Sequence, residues 1–368
     1  MRRSAPLDGV RGVAILLVLA WHYVSNQVVV EPGSVFAYLL VPLRLSWSGV
    51  DLFFVLSGFL IVGNLVDNRH SDNCFRVFYL RRACRIFPIY FCLLAAFVLL
   101  SGTSMGISPA YAWLFGQPLP LWTYATFTQN IAMGIRGDLG ANWLAITWSL
   151  AVEEQFYLVI PFLICALPLR MLAVVLAAAI AMAPLLRFVS PGLLAHIALP
   201  WRPDALIAGA CVALLVRWPP FMTVVARRRR HVWAMFGVFL AGAAVMTLHP
   251  DSFGVFGYLW LAGLYAVFVL IAFGYPDSPT GRALSSSAIV WCGQRSYGIY
   301  LFHQAASGVA HGLLHQRSPS VAGAMDAAAT LSALGVTLLF AGISYRFVEL
   351  PAIRYGHRFN YSPTRSAK

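Results

Sequence analysis

A histidine and an arginine in the first apolar segment have the spacing of a functional pair. In LDGVRGVAILLVLAWHY, Arg11 precedes His22 by eleven residues, and Asp8 lies one helical turn before Arg11. Eleven residues of α-helix make three turns plus about 20° and rise about 16 Å, so both side chains share one face. An ionisable side chain inside an apolar span marks a functional site by default. Because imidazole exchanges a proton near neutral pH, we expect His22 to act as a general base.

Two adjacent glutamates lie in another apolar segment, WSLAVEEQFYLVIP. Side chains of Glu153 and Glu154 point about 100° apart on a helix, so only one of them can face a given site, and which one is left open. We expect one glutamate to orient the imidazole of His22 or to hold the substrate on which His22 acts. The flanking Trp148 and Tyr157 are predicted to contact that substrate. A purely structural ion pair is the alternative.

Arginines cluster where the third apolar segment begins. FYLRRACRIFPIYF carries Arg82 and Arg85 three residues apart, on one face of a helix start. Planar guanidinium groups at a helix N-terminus suit a phosphate-bearing ligand, so this pair, with Arg11, is predicted to bind one. In CGQRSYGIYLFHQ, Arg295 is assigned to the same ligand, and His303 lies about 12 Å deeper. A cluster that only fixes membrane topology would look similar.

Further charged residues stand at the outer ends of apolar segments. Asp51 occurs in WSGVDLFFVLSGFLI, and Arg202 and Asp204 occur in WRPDALIAG. We predict that these three residues and His303 contact the same substrate. For Asp51, Arg202 and Asp204, helix capping or an interhelical ion pair is the alternative. Four aromatic residues of the long outer loop either stack on a sugar or form an interfacial belt. They are Trp113, Trp122, Tyr124 and Trp143.

The composition indicates the elements that hold these residues. The chain has 368 residues, of which 60% are hydrophobic and 11% charged, and its mean hydropathy is +0.74. Soluble domains carry roughly 25% charged residues, so we predict an all-α, polytopic integral membrane protein. None of the six cysteines forms a Cys-x-x-Cys pair, so no metal site is expected. Ten spans are predicted, at 12–30, 47–66, 86–101, 147–168, 171–188, 194–216, 231–249, 253–274, 291–313 and 325–345.

The net charge of +13 is distributed unevenly between the two sides. Of the 26 Lys and Arg residues, five fall at the outer side and Arg295 lies just inside the ninth span, while all others fall in inner segments. This positive-inside pattern places both termini in the cytoplasm and explains the basic charge without a nucleic acid partner. We therefore predict one transmembrane domain, 1–368, with helices over about 7–346 and a cytoplasmic tail, 347–368, among membrane lipids. The oligomeric state is left open.

The motifs occur in an order that resembles the membrane-bound acyltransferase-3 family, bacterial O-acyltransferases of glycans, exopolysaccharides, lipopolysaccharide and glycosides. The likeness covers Leu7 to Pro351, through GVDLFFVLSGFLI, WSLAVEEQFY, WRPDALIAG, CGQRSYGIYLFH and YRFVELP. It implies that His22 is catalytic and that Arg82 and Arg85 form the family's Arg-x-x-Arg element. It also implies acyl-coenzyme A, most commonly acetyl-coenzyme A, as donor and a carbohydrate or glycolipid as acceptor, in the bacterial cytoplasmic (inner) membrane. Some members carry a soluble esterase-like domain, and none is expected to be fused here.

The resemblance fits the spacing of the charged residues. The coenzyme A phosphates would lie at Arg11, Arg82 and Arg85, and the thioester arm would reach His22 about 16 Å deeper. A sugar hydroxyl would attack the thioester as His22 accepts its proton, with an acyl-histidine intermediate as the alternative mechanism.

Two other classes of function compete with an acyltransferase. A proton-coupled transporter would use His22, Asp51, Glu153 and His303 as a relay. The repeats or paired broken helices typical of transporters are not seen in the sequence. A scaffolding protein would have little use for a buried set of arginine, histidine and glutamate residues.

Overall fold

The computed structural model describes residues 4–190, 192–249 and 253–362, and these ranges contain helices and no strand. Among the described residues, an isolated bridge joins Val28 to Val321. The long helices are α1 (Ala5–Ala20), α2 (Gly49–Asn68), α3 (Cys74–Ser101), α4 (Trp148–Ala166), α5 (Leu169–Val189), α6 (Asp204–Leu215), α7 (Arg229–Leu248), α8 (Gly257–Gly274), α9 (Ser296–His315) and α10 (Ala324–Ser344).

Shorter helical segments connect or extend these helices. Two are π-helical, Trp21–Ser25 after α1 and Tyr345–Glu349 after α10, and the latter continues into Leu350–Gly356. The 3₁₀ segments are Val41–Ser48, Pro109–Tyr111 and Leu199–Trp201. The short α-helices are Val35–Leu40, Ser104–Ile107, Ala112–Phe115, Leu121–Ala125, Gln129–Arg136, Asn142–Ala145, Leu193–Ile197, Pro219–Arg227, Pro279–Leu284 and Ser287–Gln294.

Apolar helices of membrane-spanning length dominate the described residues. Eight helical segments there are long and apolar enough to cross a bilayer, or nine if one bent pair of helices counts as a span. The eight are Ala5–Ser25, Val35–Asn68, Cys74–Ser101, Asn142–Ala166, Leu169–Val189, Arg229–Leu248, Gly257–Gly274 and Ala324–Gly356. The predicted class, an all-α multi-pass membrane protein, is confirmed.

Three of the ten predicted spans, the sixth, the ninth and the third, differ from the structure. The continuous span at 194–216 is wrong, because Pro200 and Pro203 interrupt the helix there. The resulting α6 has 12 residues, about 18 Å, and turns by 96° into Pro219–Arg227. The span at 291–313 corresponds mainly to α9. This helix has 20 residues, but it carries so many polar side chains that it is not among the helices apolar enough to cross a bilayer.

The third predicted span begins too late. We predicted a loop over 67–85 and a helix from 86, whereas α3 starts at Cys74. Arg82 and Arg85 therefore lie two to three turns inside a helix and not at its start. The partial positive charge of a helix N-terminus is confined to its first turn, so it does not contribute at these arginines.

A close helix crossing joins α2 to α6 through two glycines. A Cβ atom added at Gly58 would lie 1.9 Å from the carbonyl oxygen of Leu206, and one at Gly209 would lie 1.9 Å from that of Val55. Small residues let helix backbones approach in this way within a membrane. The crossing fixes α6, and through it the charged residues at the start of α6, against α2.

This crossing predicts a loss of stability on adding one methyl group. We expect Gly58→Ala or Gly209→Ala to lower the thermal unfolding midpoint in detergent, because overpacking of this kind costs about 1–3 kcal/mol. Gly335→Ala is the matched control, since nothing lies within 4 Å of a Cβ atom added at Gly335 in α10. An unchanged midpoint in both crossing variants would contradict the tight packing.

Candidate active site

Five helices, α1, α2, α3, α4 and α9, surround a cavity of about 130 Å³ that we call the deep cavity. Arg11 of α1, Arg82 and Arg85 of α3, Glu153 of α4 and Tyr300 of α9 line it, with apolar residues of α2. Four α4 residues line it, and three of them, Ser149, Glu153 and Tyr157, recur every four positions with Leu150 beside them, so one face of that helix meets the cavity. Side chains from distant parts of the sequence thus converge on one space.

A second space, the inner cavity of about 180 Å³, lies at the end of the bundle where α1 begins. Leu60, Arg11, Arg82 and Arg85 line both cavities, so three arginines stand at their junction. By the distribution of positive charge, this end is the predicted inner side of the membrane. The two cavities form a path from the inner end into the bundle, with the positive charge concentrated midway.

The predicted arginines do not all belong to this junction. Asp8 accepts a hydrogen bond from Arg11 at 2.6 Å, and the Arg82 guanidinium lies 5.7 Å from the centre of the Tyr157 ring. Arg295 instead packs between the rings of Trp291 and Tyr345, at 4.4 and 4.8 Å. It lines neither cavity. The structure therefore brings three of the four arginines together and separates Arg295 from them.

The two glutamates have different surroundings. Glu153 lines the deep cavity together with Arg82, Arg85, Ser57 and Tyr157, and the hydroxyls of the last two are hydrogen-bonded to each other. Glu154 does not line that cavity, and its Oε1 is buried without a hydrogen bond in the part of the chain that the structure describes. Of the two, Glu153 faces the site.

His22 lies in the π-helical turn after α1 and is held by a glutamine. Its Nδ1 is 2.7 Å from Nε2 of Gln304 in α9, and its ring centre is 4.9 Å from that of His303. We expected Glu153 or Glu154 to orient this imidazole; that expectation is wrong, because the partner is Gln304. The sequence carried one signal for it, a polar residue next to His303 inside an apolar segment.

A row of rings connects His22 to the deep cavity. The Nδ1–H group of His303 donates to the Tyr300 carbonyl at 2.6 Å, and the ring centres of these two residues are 5.7 Å apart. Tyr300 lines the cavity, whereas His22 and His303 do not. The Nε2 atom of His303 is buried and has no hydrogen-bond partner among the described residues. The side chains of Tyr300 and His303 therefore lie between the deep cavity and His22.

The other predicted acceptor contacts form buried ion pairs. Arg202 donates from Nη2 to both carboxylate oxygens of Asp51 at 2.8 Å, and Arg187 binds Asp204 at 2.7 and 3.1 Å. All four side chains are at most 4% exposed, and none lines either cavity. These are the interhelical pairs that the sequence left open as an alternative, and sequence reasoning missed Arg187.

Aromatic rings enclose the first of these pairs. The Arg202 guanidinium lies 4.2 Å from the centre of the Tyr258 ring and 5.2 Å from that of Trp148. Trp148 therefore packs on Arg202 and does not reach the deep cavity, unlike Tyr157. Asp51 is paired with Arg202, Glu153 lines the deep cavity, and His22 contacts His303. These four residues of the transporter relay, Asp51, Glu153, His22 and His303, therefore do not form one continuous chain of contacts.

The loop aromatics divide between core and surface. Tyr124 and Trp143 are buried, and Trp143 packs on Phe115 with ring centres 5.5 Å apart. Trp122 is 64% exposed. Two of the four residues are therefore part of the packing of the outer loop and present no ring to a sugar.

The chemistry of the lining residues favours an anionic organic ligand. Within residues 4–190, 192–249 and 253–362, no three His, Cys, Asp or Glu side chains come together as metal ligands would. The junction offers guanidinium groups, which pair with phosphates. The deep cavity beyond it offers hydroxyls and one carboxyl group among apolar side chains.

Residues 5–346 match the family model described as the acyltransferase domain, so the chain belongs to that family and the resemblance is confirmed. It is 26% identical to the peptidoglycan O-acetyltransferase OatA of Listeria monocytogenes, over 98% of this chain and 57% of the relative. It is 25% identical to the O-acetyltransferase OatA of Staphylococcus aureus, over 98% and 59%. The chain thus spans less than two thirds of the length of these relatives. No solved structure matches it.

Proposed function

We propose that this protein is an O-acetyltransferase of the bacterial cytoplasmic membrane, which moves an acetyl group from acetyl-coenzyme A to a hydroxyl of a cell-envelope carbohydrate. The observation that carries the proposal is the junction of Arg11, Arg82 and Arg85, which line both the inner and the deep cavity. The names of the relatives support acetyl as the group and a carbohydrate as the acceptor.

The donor occupies both cavities. Its phosphates lie at the junction, where charge-assisted hydrogen bonds from guanidinium groups hold them. The pantetheine arm is thin and carries two amides, and it extends along the deep cavity toward Tyr300. Glu153, with Ser57 and Tyr157, faces this arm and not His22. Its role is to position the donor, which departs from the first expectation that a glutamate orients the imidazole of His22 or holds the acceptor.

His22 acts on the acceptor hydroxyl. The imidazole accepts the hydroxyl proton as the oxygen attacks the thioester carbonyl, the carbon–sulfur bond breaks, and the proton passes to the thiolate of coenzyme A. For this role Nε2 must carry the lone pair and Nδ1 the hydrogen. In the structure the Gln304 amide nitrogen faces Nδ1 and can only donate to it, so the base role requires that the amide turn over and present its oxygen to an Nδ1–H group.

The test is turnover by the purified full chain in detergent, without an ion gradient. Wild type is expected to release coenzyme A from acetyl-coenzyme A and to acetylate oligomers of N-acetylglucosamine supplied as the acceptor probe. A transporter would do neither in the absence of a gradient. A folded protein that neither binds nor cleaves acetyl-coenzyme A would overturn the proposal.

The arginine junction predicts a binding defect. Replacing both Arg82 and Arg85 by alanine should raise the KM for acetyl-coenzyme A at least about 100-fold, because each hydrogen bond to a charged group contributes about 1.5–3 kcal/mol. The value of kcat should fall far less. Steady-state kinetics by thiol release measures both constants.

The control removes an equal charge with the same spacing. Arg227 and Arg230 are exposed, three residues apart, and outside both cavities. Arg227→Ala with Arg230→Ala should leave the KM unchanged. Equal effects of the two double variants would mean that net charge attracts the donor and that the junction is not its site.

A further inference from the structure

The end of the described chain folds back over the inner cavity. Residues 357–362, which we call the strap, follow the last described helix, and His357 and Tyr361 line the inner cavity together with the three junction arginines. The strap lies beyond residues 5–346, the range that matches the acyltransferase family model. Nothing in the family match therefore accounts for it.

Hydrogen bonds from α3 and from the residue just before it fix the strap in place. Arg81 donates from Nε and Nη2 to the Phe359 carbonyl at 3.0 and 2.6 Å. Asn73 donates to the Asn360 carbonyl at 3.0 Å and accepts from the backbone N–H of Ser362 at 2.9 Å. A peptide held at Phe359, Asn360 and Ser362 in this way has one defined course, so it is a wall of the cavity.

Tyr361 is the aromatic part of this wall. Its hydroxyl donates to Oδ1 of Asn64 at 2.7 Å, and the Arg81 guanidinium lies 5.1 Å from the centre of its ring. The ring is thus fixed at both its polar end and one side while it lines the inner cavity. A fixed aromatic ring next to several cations suits a ligand that combines a planar base with phosphates.

Resting on the proposed function, we propose that the strap completes the subsite for the nucleotide end of coenzyme A, with Tyr361 as the surface on which the adenine ring stacks and His357 beside the phosphates. The thioester end of the donor makes no use of this subsite. The strap therefore distinguishes coenzyme A esters from short thioesters such as acetyl-pantetheine, which lack the nucleotide.

The proposal is tested by comparing two donors in the full chain. In Tyr361→Ala, kcat/KM for acetyl-coenzyme A should fall about tenfold, within the range that base–aromatic stacking provides. The same constant for acetyl-pantetheine should change less than about twofold. Tyr361→Phe keeps the ring and loses the hydroxyl, so it should behave like wild type toward both donors.

Tyr38→Ala is the matched control, since Tyr38 is 71% exposed and lines neither cavity. An equal loss for both donors in Tyr361→Ala would show a general structural defect and overturn the subsite. Unchanged kinetics would overturn it too, and a gain with acetyl-coenzyme A would make the strap an obstruction instead. If wild type itself fails to bind coenzyme A, the proposed function fails. That outcome is distinguishable from failure of the subsite alone, in which wild type still uses acetyl-coenzyme A.

Discussion

Replacing His22 by alanine is expected to lower kcat for acetyl transfer by about 10³-fold, while the affinity for acetyl-coenzyme A stays within about twofold of wild type. A general base contributes about 10² to 10⁴ in rate, and His22 is the imidazole that Gln304 holds at 2.7 Å. The residue does not line either cavity, so its loss leaves the donor site intact. Binding is measured by calorimetry with coenzyme A, and transfer by thiol release.

His231→Ala is the matched control, because His231 is exposed at the start of α7 and should have no effect on either quantity. A His22→Ala variant that turns over like wild type would remove His22 from the chemistry. A variant with weakened binding and normal kcat would instead make His22 part of the donor site. Both results differ from the expected one. The experiment therefore distinguishes a role of His22 as general base from a role in binding the donor.

Breaking the Asp51–Arg202 pair is expected to destabilise the protein more than any other single charge change considered above. Arg202→Leu leaves the Asp51 carboxyl, whose side chain is 2% exposed, without its partner. Removing one member of a buried pair typically costs about 3–5 kcal/mol. Thermal unfolding in detergent measures the loss. Asp51→Asn combined with Arg202→Leu should recover part of it, because the unpaired charge is then gone.

Arg136→Leu provides the comparison for this prediction. Arg136 also binds an aspartate, Asp138, but the two side chains are 32% and 43% exposed, and such pairs contribute about 0–1 kcal/mol. Its unfolding midpoint should match wild type. If Arg202→Leu instead unfolds like wild type and loses only the use of the carbohydrate acceptor, the role first predicted for Asp51 and Arg202 would be restored.

Much of the site could be predicted from single helices. Arg11 and His22 share an apolar segment, and Arg82 and Arg85 share a face, because helical spacing alone relates them. Membrane spans follow from apolarity, which is why eight of them coincide with long helices. The break before α6 was also readable, since Pro200 and Pro203 stand inside the predicted span.

The remainder depends on contacts between distant segments. Gln304 is 282 residues from His22, and no feature of either segment indicates that the two residues are in contact. The partner of Asp51 is 151 residues away in the sequence, so capping and pairing could not be distinguished. Apolarity does not mark the part of a helix that extends beyond the bilayer, and for this reason the first turns of α3 were taken for a loop.

The two connected cavities also determine where the membrane voltage acts. Along α2 they extend from Val50 to Asn64, about 21 Å of a hydrocarbon layer about 30 Å thick. When water fills them, the electrical potential of the inner side extends deep into the bundle, and the field is then concentrated across roughly the outer third. The phosphate charges of a donor at the arginine junction lie outside that field. A proton on His22 lies within it and carries a share of the about 2.3 kcal/mol per 100 mV that a full crossing involves.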